Sequence, residues 1–364
     1  MEDAPANITP PAATAIAAPQ QLRFTGTGGS YFGIWIVNLL LTVVTLGIYS
    51  AWAKVRRLQY FYRHTELAQT GFDFHGSPKR ILLGRIIAFI MLVVYNMSVR
   101  LHSIWTLVVI VALAAVLPWL LRNSLRFRLY NTSWRGTRFH FRGTVGGAYR
   151  VFLLNSFLSL ITLYIMVPFA HQRLKAYQHG NSWFGQTRFS FHARAGQFYL
   201  LYLMLLAGLL AFGILFGMAG LFSMLKPLML AQQHQGGPVD PKPILMAVGI
   251  IYGAVILMSV IIGPVFHALM TNLVWSNTRL GEHRIECHMS PLKLTWVTAS
   301  NLVMVVVTCG LFIPWAMVRM TRLHVESITF IPASDLQEFS AAAPEDVGAI
   351  GAETANVFDF DIAL

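Results

Sequence analysis

Long apolar runs alternate with short polar connectors along this chain. The runs fall at about 31–51, 81–99, 104–121, 151–170, 198–225, 244–275 and 294–318, each near or above the ~20 residues with which a helix crosses a bilayer. They predict about seven transmembrane helices. Between 81 and 121 the run is broken by Arg100 and His102, so it reads either as two spans in a tight hairpin, which gives the count of seven, or as one kinked span. The connectors carry a different period. Gly71-Phe-Asp-Phe-His75, Arg138-Phe-His-Phe-Arg142, Arg188-Phe-Ser-Phe-His192 and Arg284-Ile-Glu-Cys-His288 alternate apolar with polar residues, as half-buried strands do. Gly136, Gly185 and Gly281 precede three of them as turn formers. With Leu22–Thr25 and Ile328–Ile331 added, alternating spans would place three strand-like segments at each membrane face.

The apolar text is internally repeated. Asn38, Asn155 and Asn301 each open an apolar stretch that Arg56, Arg173 and Arg319 close 18 residues later. A shift of 117 lays Phe24-Thr-Gly26 on Phe141-Arg-Gly143 and Phe72-Asp-Phe74-His75 on Phe189-Ser-Phe191-His192; a shift of 146 lays Pro118 on Pro264 and Asn131-Thr132 on Asn277-Thr278. The chain thus divides into membrane repeat 1 (22–147), membrane repeat 2 (148–293) and a third copy of the opening helix (294–331). The difference between the shifts falls at 223–243, which its Gln, Gly and Pro content marks as a loop. Three spans per repeat is an odd number, so the repeats are expected to be inverted about an axis in the membrane plane. A duplicated scaffold with no transport role accounts for the repetition equally well.

Composition strengthens the membrane reading: 55% of the 364 residues are hydrophobic and only 12% charged. The formal charge of +12 is spread over the connectors, which argues for orientation and headgroup contact and against nucleic-acid binding. Under alternating spans, one side collects 17 Lys and Arg and the other 9. The positive-inside rule then sets the N-terminus outside and the C-terminus in the cytoplasm. Residues 1–21, rich in Ala and Pro, lack the pattern of a signal peptide and are expected to be disordered; 332–364 reads as a flexible acidic tail. Cys287 and Cys309 indicate neither a disulfide framework nor a metal site.

Candidate chemistry is sparse. Asn38, Asn155 and Asn301, with Thr45, Thr162 and Thr308 seven residues on, present polar stripes that either bond helix to helix or line a polar core. Arg56, Arg173 and Arg319 either snorkel to lipid phosphates or face inward as contacts for an anion or headgroup. Arg85 and His267 are the ionisable residues deepest in the apolar runs, a placement that favours protein or water contacts over lipid. None of the 15 acids falls inside a run, which removes the usual carriers of proton or cation coupling and of hard-metal ligation. No nucleophile elbow, His-Glu-x-x-His or phosphate-loop pattern is present, so no catalytic residue, metal or cofactor is expected. Gly213-x-x-x-Gly217 and Gly249-x-x-x-Gly253 read as close helix packing.

The runs Tyr31-Phe-Gly-Ile-Trp35, Leu46-Gly-Ile-Tyr-Ser-Ala-Trp-Ala-Lys-Val-Arg56 and Gly71-Phe-Asp-Phe-His-Gly76 resemble the DUF898, or YjgN-like, family of bacterial inner-membrane proteins over about residues 22–331. The resemblance implies a multi-pass inner-membrane protein of unknown function. The second copy departs from the motif, with Pro168, Phe169 and His171 where the first has Ala51, Trp52 and Lys54. The expected molecule is an all-α polytopic membrane protein with about seven transmembrane helices in inverted three-helix repeats and short β-like segments in the loops. Its expected role is non-enzymatic: passive transport or binding of a small solute or lipid at the repeat interface, the alternative being an envelope scaffold or lipid-interaction protein. Membrane lipids and a small solute are the expected partners; oligomer formation is left open.

Overall fold

The computed structural model describes residues 18–100, 104–233 and 242–334. The segments expected to be disordered, 1–21 and 332–364, lie mostly outside these. The strand-like connectors do not stay with separate faces. They join into one antiparallel sheet of β1 (Gln20–Gln21), β2 (Arg23–Phe24), β3 (Thr65–Leu67), β4 (Thr70–Phe74), β5 (Thr132–Trp134), β6 (Thr137–Phe141), β7 (Ser182–Phe184), β8 (Thr187–Phe191), β9 (Thr278–Leu280), β10 (His283–Cys287) and β11 (Ile328–Ile331). Neighbours in space are neighbours in sequence from β2 to β11, and β1 pairs with β11 while β2 pairs with β3. Because β1 and β2 are two halves of one extended segment around Leu22, whose N–H donates to the Ile328 carbonyl at 3.0 Å, the sheet closes on itself. The result is an up-and-down barrel of ten segments with no free edge.

Four tight turns form one end of the barrel. Ala68-Gln69, Arg135-Gly136, Gly185-Gln186 and Gly281-Glu282 are two-residue loops, fixed by the registers Leu67↔Thr70, Trp134↔Thr137, Phe184↔Thr187 and Leu280↔His283. Positive φ at Ala68, Gln69, Arg135, Gly136, Gly185 and Gly281 matches the primed turns that suit the twist of adjacent strands. At the opposite end every strand pair is linked through helices. Five helical excursions leave the barrel there and return to it.

Two excursions are full spans in pairs: α3 (Pro78–Arg100) with α4 (Ile104–Tyr130), and α8 (Ala195–Gln233) with α9 (Lys242–Ser276). All four contain segments long and apolar enough to cross a membrane. The other three are hairpins whose arms are shorter: α1 (Gly28–Val44) with α2 (Ser50–Arg63); α5 (Val145–Ala148), a π-helical stretch Tyr149–Leu154 and α6 (Asn155–Ile161) with α7 (Val167–Gly180); and α10 (Pro291–Val307) with α11 (Ile313–Glu326). An arm of 17 residues is about 25 Å long, and both ends of each hairpin feed adjacent strands of one barrel. These hairpins fold back on themselves and return to the barrel, and their first arms are apolar but shorter than the four long helices.

Their turns are alike. Thr45, Thr162 and Thr308 end the first arms, each hydroxyl donating to the carbonyl four residues earlier and accepting from the backbone N–H four residues later. Leu46, Leu163 and Cys309 follow at φ 49° each, then Gly47, Tyr164 and Gly310 at φ 92°, 67° and 91°. The N–H groups of the last three reach back to the carbonyls of Thr42, Ser159 and Val305 at 2.7 to 2.8 Å, a Schellman-type stop. Pro168 and Pro314 start two of the return arms, where proline lacks only an N–H that the helix would not use. Ile48, Ile165 and Leu311 stand exposed at the tips, at 59%, 70% and 53%, as lipid-facing residues do.

These observations correct the expected architecture. The chain is not all-α, because a closed barrel holds its helices together. Three of the seven predicted spans, those at 31–51, 151–170 and 294–318, are bent into re-entrant hairpins; a run of about 20 apolar residues is equally well filled by an arm, a turn and the start of a second arm. Each repeat therefore holds two candidate spans instead of three, and both ends of every excursion return to one barrel, so successive repeats run the same way, not inverted. The stretch 81–121 is two helices, and residues 223–233 belong to α8 instead of a loop. The first and last described strands pair with each other, so they share one face, where opposite faces had been expected.

Candidate functional site

The barrel encloses an apolar ring. Leu22, Leu67, Phe72, Trp134, Phe139, Phe184, Phe189, Leu280, Ile285 and Phe330 form one packed cluster, one side chain from each of the ten segments. Ring contacts run around it: Trp134 to Phe184 at 5.8 Å, Phe139 to Phe184 at 4.9 Å and Phe139 to Phe189 at 6.3 Å between centroids. Two residues nearer the membrane, Phe24, Phe74, Phe141, Phe191 and Cys287 point to the same side of the sheet, and each packs with the helices that leave the barrel there. A Cβ on Gly26, Gly76 or Gly143 would fall 2.4 to 2.7 Å from the ring of the phenylalanine two residues earlier. The repeated Phe-x-Gly is thus a strand end at which the aromatic folds over the glycine.

Eight-stranded barrels are filled by their side chains or hold one small ligand; this wider one retains a cavity of about 660 Å³. The ring forms its inner part. Toward the membrane it is walled by the barrel-side ends of α4, α7, α9 and α11, which contribute Leu125, Leu129, His171, Lys175, Gln178, His179, Phe266, His267, Met270, Thr271, Trp275 and His324. No carboxylate is among the lining residues. The volume lies within the ~300–1,000 Å³ of small-molecule pockets.

The polar side chains gather on one side. Lys175 forms no ion pair or hydrogen bond among the described residues, and burial lowers the pKa of its ammonium. His179 stacks on Phe191, meets Trp275 edge-on and lies 3.4 Å from the Thr278 hydroxyl; burial, aided by the Lys175 charge, lowers its pKa to about 3, so it is neutral near pH 7. His171 Nδ1 is 3.0 Å from the Tyr202 hydroxyl. His267 and His324 meet through their Nε2 atoms at 2.8 Å, and His324 Nδ1 lies 2.8 Å from the Met320 carbonyl. A carbonyl only accepts, so a neutral His324 carries its proton on Nδ1 and accepts at Nε2 from the His267 N–H. Gln178 is 2% exposed, and its amide oxygen has no hydrogen-bond partner. Among the described residues no group of three or more His, Cys, Asp or Glu is arranged for a metal.

Of the candidate site residues read from sequence, His267 alone lines this cavity, joined by His171, which the sequence marked only as a departure from the motif. Asn38, Asn155 and Asn301 are buried alike at 7% exposure, at matching places in the three hairpins. Arg319 donates to Asn301 Oδ1 at 2.7 Å and to the Ser300 hydroxyl at 3.0 Å, and Asn301 donates to the Ala316 carbonyl at 3.3 Å, tying the arms of the third hairpin. Asn38 Oδ1 has no hydrogen-bond partner. Arg56 lies over the Tyr49 ring at 5.7 Å and Arg173 over Phe169 at 5.0 Å. Arg85 donates to the Ser50 hydroxyl, linking α3 to the start of α2. Thr45, Thr162 and Thr308 hold the hairpin turns as described. Lys175, His179, Gln178 and His324 were missed because they lie in polar text at the ends of the runs. The second copy's departures from the motif near His171 were the available signal.

The sequence profile described as a bacterial protein of unknown function, DUF898, matches residues 19–357. Among curated relatives, the inner membrane protein YjgN of Salmonella typhimurium strain LT2 is 31% identical over 150 residues, which is 40% of this chain and 37% of that protein. YjgN of Escherichia coli O157:H7 is 30% identical over 130 residues, 35% of this chain and 32% of that protein. YjgN of Escherichia coli K12 is 29% identical over 126 residues, 34% and 31% respectively. The aligned part of the chain spans about a third of the length of each of these relatives. No solved structure matches.

Proposed function

The chain belongs to the bacterial DUF898 family, whose function is unassigned, and from this premise we infer that it is a non-enzymatic membrane protein that binds a small, largely apolar molecule inside its barrel. The observation that carries the reading is the cavity of about 660 Å³ enclosed by a complete apolar ring next to the membrane. A dry structural barrel would be packed shut, since interiors approach crystal density. The helix-facing end of the cavity gives a ligand a short path from the lipid phase. The relatives' name supports the inner membrane as its location.

Charge supports a cytoplasmic barrel. Of the 27 Lys and Arg, only Arg100, Lys226 and Lys242 belong to the far ends of the long helices; the others lie in the barrel, in the re-entrant hairpins or at the barrel ends of the spans. Basic residues collect on the cytoplasmic side, which would put both described ends of the chain there. A diazirine-bearing long-chain alcohol, photolysed in vesicles holding the full chain, should label peptides spanning 134–141 and 184–189. Labelling confined to α3 and α8 would leave only the scaffold reading.

A further inference from the structure

We propose that the ligand of this cavity is a single-chain amphiphile with an acidic head, its carboxylate or phosphate held by Lys175 and its tail packed in the aromatic ring of the barrel. The proposal rests on the binding reading above and names the ligand's class. Three observations carry it. First, the cavity is chemically two-ended: ten apolar side chains, one per strand segment, fill the barrel part, whereas Lys175, Gln178 and the four histidines lie toward the helices. Second, Lys175 has no partner among the described residues, and the lining contains no Asp or Glu. Lys175 is half-buried, and an ammonium kept from water without a counter-charge is costly unless a ligand supplies the anion. Third, Gln178 is almost fully buried with its amide oxygen unpartnered, whereas buried polar groups are normally paired. An acidic head beside Gln178 would accept from the amide N–H donors of that side chain.

The apolar side gives affinity without discrimination, and the lysine gives the preference for an acid. His171 and His179 in their neutral forms add donors without adding charge, and a zwitterionic headgroup would bring a second cation against Lys175. The site therefore selects a simple acid over a choline-type lipid.

Native mass spectrometry of the detergent-solubilised full chain, with tetradecanoate and tetradecanol as probes of equal length, tests this. The expected result is one tetradecanoate per chain, bound roughly 10- to 100-fold more tightly than tetradecanol, the range of one charge-assisted contact. Lys175→Gln should bring the two probes level, and Lys175→Arg should keep the preference. The wild-type ratio decides the matter even if Lys175→Gln folds poorly. Equal binding of the two probes by the wild type overturns the assignment of the head while the cavity reading stands; binding of neither overturns both. Displacement of tetradecanoate by equimolar inorganic phosphate would make this a free-anion site and overturn the amphiphile.

Discussion

The two repeats share a backbone and differ in what they show the cavity. At the positions where the second repeat places His171, Lys175, Gln178 and His179, the first has Lys54, Leu58, Phe61 and Tyr62; where the second has His267 and Thr271, the first has Leu121 and Leu125. The hairpins and tight turns recur in both, whereas the strand ends that read Phe-x-Gly in the first repeat become Phe191-His-Ala193 and Cys287-His-Met289 in the second. The repeat is the scaffold, and the departures from it are the site. Duplication supplied a closed barrel that needs both halves, and the second repeat, joined by His324 of the third hairpin, then carried the polar groups.

The ring is where the halves should be indistinguishable, and there the largest effect is expected. Leu67→Asp in the first repeat and Phe184→Asp in the second each bury an unpaired carboxylate in the same cluster, a cost of several kcal/mol. Size-exclusion chromatography should find little folded monomer for either; collapse of only one would mean that the halves fold independently. Next come the hairpin asparagines. Asn301→Leu strips Arg319 of an acceptor and should cost about 1.5–3 kcal/mol, whereas Asn38, whose side-chain oxygen has no partner, should tolerate leucine with little change in thermal midpoint. The hairpin turns separate the copies more finely. Gly47→Ala and Gly310→Ala place a side chain at φ near 90° and should cost about 1–2 kcal/mol. The equivalent Tyr164 already sits at φ 67°, so Tyr164→Gly should raise the melting temperature.

The smallest effect is on the pH profile. Burial lowers the pKa of His179 in the folded chain to about 3 from the ordinary histidine value of 6.5, so between these values the unfolded chain binds the proton and the folded chain does not. Its contribution to stability is present above pH 6.5 and is lost as the pH falls toward 3. His179→Phe should flatten the melting temperature in that window, while Tyr62→Phe at the matching position should leave the slope unchanged. Equal slopes for wild type and His179→Phe would remove the histidine from the account.

Much of this fold was legible in the sequence, and the failures have a common cause. The repeat shifts of 117 and 146, the period-two connectors and the family resemblance all located real elements. Hydropathy, however, measures how long the chain stays apolar and is blind to whether it goes straight. At 31–51 the chain bends at Leu46-Gly47, and only the Thr-x-Gly before Tyr49, with Pro168 and Pro314 after the matching turns, marks the reversal. Miscounting those three bends changed the parity of each repeat, and with it the inversion, the number of faces bearing strands and the charge balance. The strands of three residues, β3, β5, β7 and β9, are too short for any period to register; the paired strands beside them define their place. The cavity's polar groups escaped notice because Lys175 and His179 are ordinary in a basic, amphipathic helix and unusual only inside a closed barrel.

The three hairpins that turn back midway give the molecule unequal girth across the bilayer. Among the described residues, ten helical arms leave the barrel at one end, and four of them contain stretches long and apolar enough to cross a membrane. Such a shape is a wedge. Set in a bilayer, such a wedge would displace more lipid from the monolayer beside the barrel than from the other, and would give the protein a preferred sense of membrane curvature.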